Sequence, residues 1–256
     1  MRPDNPILRR RRELEGQGLR EPWVALFDID STLMDTMPRN VAILEAARET
    51  VPGLAACWDR LDLLRPFWDI REPFQRAGIL DRKLLGAVKD FWFERFFTDE
   101  WLAHDRPYPG AAEFLRELKA EGLALAYLTG RHSPGMESGT RSSFAAHGLP
   151  AGSEETFFFK PDFALADEAF KASICESLRH RGSLVVTVDN EPANVNLFHR
   201  AFPSALTVWL DTVKSPDSSP LLPGIERYGP EIFVSWREAD ELHFPSDGIS
   251  SVPWTS

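Results

Sequence analysis

A chain of 256 residues with 43% hydrophobic and 27% charged side chains has the make-up of an ordinary globular protein with a sizeable core, far from disordered or fibrous profiles. Its formal net charge of -10 argues against broad affinity for nucleic acid, which rests on cationic neutralisation of phosphates, although a local basic pocket stays compatible with it. No apolar run approaches the roughly 18 to 20 residues of a membrane span, and the two distant cysteines, Cys57 and Cys175, fit a reducing, cytoplasmic setting with no disulfide framework.

The chain opens with Arg9 to Arg12 in a row, followed by Glu13 and Glu15 and no apolar stretch. Residues 1–20 therefore read as a solvated N-terminal extension rather than a targeting signal. Trp23 to Phe27 is a short apolar run ending at polar residues, the pattern of a buried strand. The next such run begins only at Leu123, and most of the interval has helical period, with helices expected over Val41 to Glu49 and Leu80 to Phe97 and breaks at Pro52-Gly53, Pro66 and Pro73. The economical reading is a mainly α-helical cap inserted over residues 34–105, leaving 21–33 and 106–256 as the core. Its Trp58, Trp68, Trp92 and Trp101 point first to a packed interior of its own and only second to a pocket wall.

Past the insert, an amphipathic helix is expected over Ala111 to Ala120, then strands at Leu123 to Leu128 and Thr156 to Phe159, a helix over Ala164 to Leu178, and strands at Leu184 to Val188 and Leu206 to Leu210. Strands alternating with helices predict an α/β fold with a parallel sheet. After Asp211, Pro216, Pro220 and Pro223 mark loop and surface packing, with one further strand expected at Glu231 to Val234 and then a polar tail.

In an open parallel sheet, ligands bind in the crevice at the carboxyl ends of the strands. The polar clusters of this sequence fall there: Asp28 and Asp30 after the first strand, Thr129, Gly130 and Arg131 after the second, Lys160 after the third, and Asp189, Asn190 and Glu191 after the fourth. Asp28 and Asp30 would face opposite ways on a continuing strand, so their convergence requires a turn, for which Ser31 and Thr32 are suitable. Three carboxylates gathered on one rim repel unless a cation neutralises them, and oxygen ligands without His or Cys favour Mg²⁺. A carboxylate nucleophile, a second carboxylate as general acid and base, and a hydroxyl, backbone amides and a lysine around the phosphoryl oxygens together suit phosphoryl transfer.

The ordered set of Asp28-Ile29-Asp30-Ser31-Thr32, Thr129-Gly130, a lysine, and Asp189-Asn190-Glu191-Pro192-Ala193-Asn194 resembles the haloacid dehalogenase superfamily, with Tyr108-Pro109-Gly110 preceding the second motif. The resemblance covers about Pro22 to Thr212 and implies a Rossmann-like core, Asp28 as nucleophile, Asp30 as acid and base, Thr129 as phosphoryl ligand, and Mg²⁺ held by Asp28, Asp189 and the backbone of Asp30. For the lysine, Lys171 on the helix before the last motif is favoured over Lys160, because its spacing resembles phosphatases of the polynucleotide kinase type. Asn190 stands where relatives carry a second acid and could donate an amide oxygen, Glu191 or Asn194 could support the metal indirectly, and Arg131 and His132 could touch substrate. Asp30 favours phosphate esters over halides. The expectation is a Mg²⁺-dependent phosphatase acting on a small phosphorylated substrate; a phosphomutase, a nucleotide or polynucleotide-end phosphatase, and a non-catalytic binding member stay open, and the oligomeric state is not legible.

Overall fold

The computed structural model describes residues 5–216 and 218–237. Its first element is α1 (Pro6–Gly16), where a solvated extension was expected. Asn5 caps it, accepting on Oδ1 from the amides of Ile7 (2.8 Å) and Leu8 (3.3 Å) and donating Nδ2 to the carbonyl of Trp236 (3.0 Å). Pro6 occupies the first turn, where no amide donor is needed. Ile7 and Leu14, two turns apart, are buried on one face, and the arginine run occupies the positions between them.

The elements that follow are β1 (Trp23–Phe27), β2 (Met34–Asp35), α2 (Met37–Thr50), α3 (Glu72–Arg76), α4 (Arg82–Phe96), β3 (Arg106–Pro107) and α5 (Ala111–Ala120). Then come β4 (Leu123–His132), α6 (Ser133–Ala146), β5 (Thr156–Lys160), α7 (Asp167–Leu178), β6 (Ser183–Asp189), α8 (Pro192–Ala201), β7 (Leu206–Leu210), β8 (Glu226–Tyr228) and α9 (Ile232–Ser235). Six strands form one parallel sheet in the order β5-β4-β1-β6-β7-β8, with β1 between β4 and β6. A reversal of strand order on either side of β1 opens the crevice at its carboxyl end.

Side chains of β1 alternate across the sheet. Trp23, Ala25 and Phe27 pack with α1, α5, α6 and α9 on one face, whereas Val24 and Leu26 pack with α7 and α8 on the other. The result is three layers with an apolar core on each side of the sheet. Met34 and Asp35 pair antiparallel with Pro107 and Arg106, so the chain leaves the sheet region and returns to it through one small ribbon. Between β2 and β3, α2, α3 and α4 gather a third apolar cluster of their own around Ile43, Leu44, Phe67, Phe74 and Val88.

Two further expectations change. β4 runs on through His132 rather than ending at Leu128, with its pairing to β5 interrupted between those residues, so Thr129 and Gly130 lie within the strand's distal part. The segment Glu231–Val234 is not a strand: residues 232–235 form α9, which buries Ile232 and Phe233 against α5, and the added edge strand is β8. From residue 238 the polar tail lies outside the described residues.

Candidate active site

β1 delivers Asp28 to the sheet's carboxyl edge, and the Asp28 amide still donates to Val188 O at 2.9 Å. The chain then folds back: Leu33 and Met34 donate to Ile29 O, both at 2.9 Å, and Ser31 donates to Met34 O at 2.7 Å. Ser31 takes the left-handed conformation with φ 56°, unusual for a residue with a Cβ. Thr212 Oγ1 donates to the Ser31 carbonyl and pins this turn to the loop after β7. The turn brings Asp28 and Asp30 to one cavity of about 260 Å³.

Lys171, on α7, is almost fully buried and its ammonium donates to Asp28 Oδ1 at 2.6 Å and to Asp189 Oδ2 at 2.7 Å. Burial opposes its charge, but the carboxylates of Asp189 and Asp28 outweigh burial and raise its pKa. Asp28 is pushed well above the usual carboxylate range, chiefly by burial; Lys171 offsets part of this and the charge of Asp189 adds to it. Two buried carboxylates thus share one ammonium, leaving a local excess of negative charge. Asp189 Oδ1 is also held, by the Glu191 amide at 2.8 Å and Asn194 Nδ2 at 3.3 Å.

Lys160 faces elsewhere. It donates to the carbonyls of Phe163 and Leu165 and to Asp167 Oδ1 at 2.6 Å, closing the loop that leads into α7. Asp167 in turn lies against Gly130, where any Cβ would collide with its carboxylate. Thr129 is fully buried and its Oγ1 accepts from the Arg131 amide at 3.2 Å. Asn190 Oδ1 accepts from Thr32 Oγ1 at 3.2 Å and its Nδ2 donates to Val213 O at 2.6 Å, so its amide ties the first turn to the loop after β7. Glu191 accepts from the Ser215 amide at 2.9 Å, and the His132 ring packs on Phe163 with centroids 5.4 Å apart.

Asp30 is held by two arginines, of which only Arg131 stands beside a motif in the sequence. Arg131 Nε and a terminal nitrogen donate to its two oxygens at 2.9 and 2.8 Å, and Arg39 of α2 donates to it at 2.7 Å. Both guanidiniums also meet Asp105, which is fully buried: Arg131 at 2.7 Å and Arg39 at 3.0 Å. Arg39 itself is fully buried, stacked 3.8 Å from the Phe96 ring centroid and bonded to the Phe96 carbonyl. Burial alone would raise the Asp30 pKa, but Arg131 and Arg39 together hold it well below the usual range. In this arrangement Asp30 is an anion locked in a four-member ionic cluster. No local signal marks Arg39 or Asp105, because the cluster joins residues remote in sequence, two of which border or belong to the helical insert.

The insert lines the rest of the cavity with Phe67, Trp68, Trp92, Phe96, Asn40 and Lys89. Trp92 therefore serves both readings of the tryptophans, packing in the insert's own cluster and facing the cavity.

Among the described residues no three His, Cys, Asp or Glu side chains converge as a metal cage. Mg²⁺ does not need one, since it is commonly held by one or two carboxylates, with waters and substrate phosphate completing the octahedron. The all-oxygen donor set of Asp28 and Asp189, two buried carboxylates sharing one ammonium, fits such an ion. No helix among the described residues is long and apolar enough to cross a membrane.

Residues 24–201 match the family model described as haloacid dehalogenase-like hydrolase. No curated protein matches the chain. Among solved structures, a Clostridium difficile protein described as a candidate phosphatase superposes with TM-score 0.54 at 12% identity, covering 82% of this chain and 95% of that one. A haloacid dehalogenase-like family hydrolase of Streptococcus pneumoniae gives 0.52 at 12% identity, covering 84% and 98%. A haloacid dehalogenase-like hydrolase of Burkholderia xenovorans gives 0.51 at 17% identity, covering 86% and 100%. At such identities these structures carry the fold, and the family-model match, which spans most of the chain, carries the assignment: the chain belongs to the haloacid dehalogenase-like hydrolases.

Proposed function

We propose that this hydrolase cleaves phosphomonoesters, with Asp28 as the nucleophile. The observation that carries the reading is the Asp28–Lys171–Asp189 chain of contacts at 2.6 and 2.7 Å, which holds a carboxylate oxygen at the mouth of β1 inside a small cavity. An Asp28 oxygen attacks phosphorus, the P–O bond to the alcohol breaks, and a water then attacks phosphorus of the aspartyl-phosphate to release inorganic phosphate and regenerate Asp28. Lys171, bonded to Asp28, offsets the charge of the phosphoryl oxygens. Asp28, Asp189 and the backbone carbonyl of Asp30 would hold Mg²⁺, which would add charge neutralisation for the phosphoryl group.

Asp30 is the group placed to give a proton to the leaving oxygen and later take one from water. Clamped by two guanidiniums it cannot donate, so the reading requires it to release at least one of them. Arg131 belongs to the sheet, whereas Arg39 rides on α2. A shift of the insert is the movement that withdraws Arg39, leaving Asp30 with Arg131 alone. The antiparallel pair of Met34–Asp35 with Arg106–Pro107 and the separate apolar cluster of α2 to α4 support residues 34–105 as a cap that can move in this way.

A panel of aryl and metabolite phosphates with Mg²⁺ tests the proposal. Release of inorganic phosphate from at least one ester, dependent on Asp28, is expected; no release from any of them contradicts it.

A further inference from the structure

The reading of the site as a phosphatase leaves its alcohol unassigned, and the inference below rests on that reading. The cavity wall has two unlike sides. Its sheet side is acidic, with Asp28, Asp30, Asp167 and Glu191. Its insert side is aromatic and carries Lys89.

Three cationic side chains line the cavity among the described residues, and two of them are spent. Lys171 bridges Asp28 and Asp189, and Arg131 bridges Asp30 and Asp105. Lys89 is different. Its ammonium forms an ion pair with Asp69 at 3.7 Å, longer than the contacts of the other two, and Asp69 shares its charge with a two-pronged contact from Arg71 at 2.9 and 2.6 Å. The same ammonium sits 4.2 Å from the Trp92 ring centroid, so a cation is held directly over an aromatic face at the cavity wall.

The aromatic side is not merely the back of the insert's core. Trp68 is 48% exposed although it lines the cavity, a large apolar surface left open to solvent in the free protein. Trp92 is fixed in orientation by the bond from its Nε1 to Asn40 Oδ1 at 2.7 Å. Trp92 is covered by Lys89 and stacked with Phe96, so the open aromatic surface is that of Trp68, and a flat surface favours a flat ligand group. With the insert in this position the cavity encloses about 260 Å³, below the roughly 300 to 1,000 Å³ of pockets for drug-sized ligands, which favours a compact ester.

We propose that the cavity selects a phosphomonoester whose alcohol carries a single aromatic ring and a second anionic group, the ring lying against Trp68 and the anion meeting Lys89. The second anion is repelled by the acidic sheet side and drawn to the opposite wall, which fixes the orientation of the ester. With the phosphoryl group at Asp28 and the anion at Lys89, the ring spans the cavity between them.

The test compares kcat/KM for phenyl phosphate, 4-carboxyphenyl phosphate and phosphoglycolate, with Mg²⁺, in wild type, Lys89→Met, Lys89→Arg and Trp68→Leu. A charge-assisted contact predicts that wild type prefers the carboxylated aryl ester over phenyl phosphate by roughly tenfold or more. Lys89→Met brings that ratio near one, mainly through KM, and Lys89→Arg keeps it. Trp68→Leu, at a partly exposed position that should tolerate the change, lowers the ratio of 4-carboxyphenyl phosphate to phosphoglycolate relative to wild type. Equal use of the two aryl esters by wild type, or a preference that survives in Lys89→Met, overturns the anion assignment; an unchanged ratio in Trp68→Leu overturns the ring assignment. Failure of wild type to hydrolyse any of the three and any ester of the wider panel brings down the phosphatase reading itself, and this inference with it.

Discussion

The ammonium of Lys171 sits 2.6 Å from the carboxylate of Asp28, although 143 residues separate them in the chain. The contact closes the distance between α7 and the end of β1, and it distinguishes the two candidate lysines by geometry. Lys171→Ala is predicted to lower turnover by on the order of 10² to 10³, and Lys160→Ala, which removes a loop tie, by less than about tenfold. Because Lys171→Ala also leaves two buried carboxylates without their shared cation, it is expected to cost about 3 to 5 kcal/mol of stability. Rates per folded molecule, measured beside denaturant unfolding, check both; a larger loss in Lys160→Ala contradicts the assignment.

Arg39 and Asp105 are both fully buried and 3.0 Å apart, so Arg39→Met strips a buried carboxylate of one of its two cations. The predicted cost is about 3 to 5 kcal/mol at neutral pH, read from urea unfolding. The pH dependence follows from Asp30, whose pKa the arginines depress below its unfolded value. Its contribution is present above the unfolded pKa of about 3.9 and is lost as pH falls through the lower folded value. In wild type the stability from Asp30 should therefore hold at mild acidity and fail only in strong acid, and in Arg39→Met it should fail at higher pH. Superimposable acid-unfolding curves would contradict the clamp.

Asp28 has the opposite sign. Its folded pKa lies above the unfolded one, so its ionisation weakens the fold as pH rises through the folded value. Asp28→Asn keeps an acceptor for Lys171 and removes the excess charge. Metal-free Asp28→Asn is predicted to melt at or above the wild-type temperature at neutral pH, and Mg²⁺ to raise the melting temperature of wild type more than that of the variant. A variant that melts several degrees lower, or an equal response to Mg²⁺, contradicts this electrostatic account.

Ser31 holds a left-handed backbone that costs an L-residue roughly 1 to 2 kcal/mol, part of which glycine returns as unfolded-chain entropy. Ser31→Gly is predicted to raise stability by up to about 1 kcal/mol in thermal unfolding. A loss of stability would mean that the Ser31 side chain holds the turn in a way the backbone does not require.

Much of the candidate site was legible because its parts lie just beyond apolar strands. Asp28, Thr129 and Asp189 each follow or end a run whose burial is readable from composition alone, and parallel strands place their carboxyl ends on one rim. What escaped the sequence depends on contacts between distant segments. Arg39 looks like an ordinary helix residue until α2 is set against β4, and Asp105 like a surface acid before a proline-containing turn. The amphipathic face of α1 was hidden by four arginines, whose charges face away from Ile7 and Leu14 while the helix packs down. At Glu231 to Val234, β-branched and aromatic residues suggested a strand, and packing of Phe233 beside Phe114 and Trp236 imposed a helical turn instead.

The central claim is that Asp28 becomes phosphorylated, and its most direct test needs no knowledge of the substrate. Beryllium fluoride with Mg²⁺ mimics a phosphoryl group on an aspartate, and ¹⁹F NMR reports the bound species. Wild type is predicted to show protein-bound fluoroberyllate resonances that are absent from Asp28→Asn while the variant stays folded. Bound resonances that persist in folded Asp28→Asn would contradict the account.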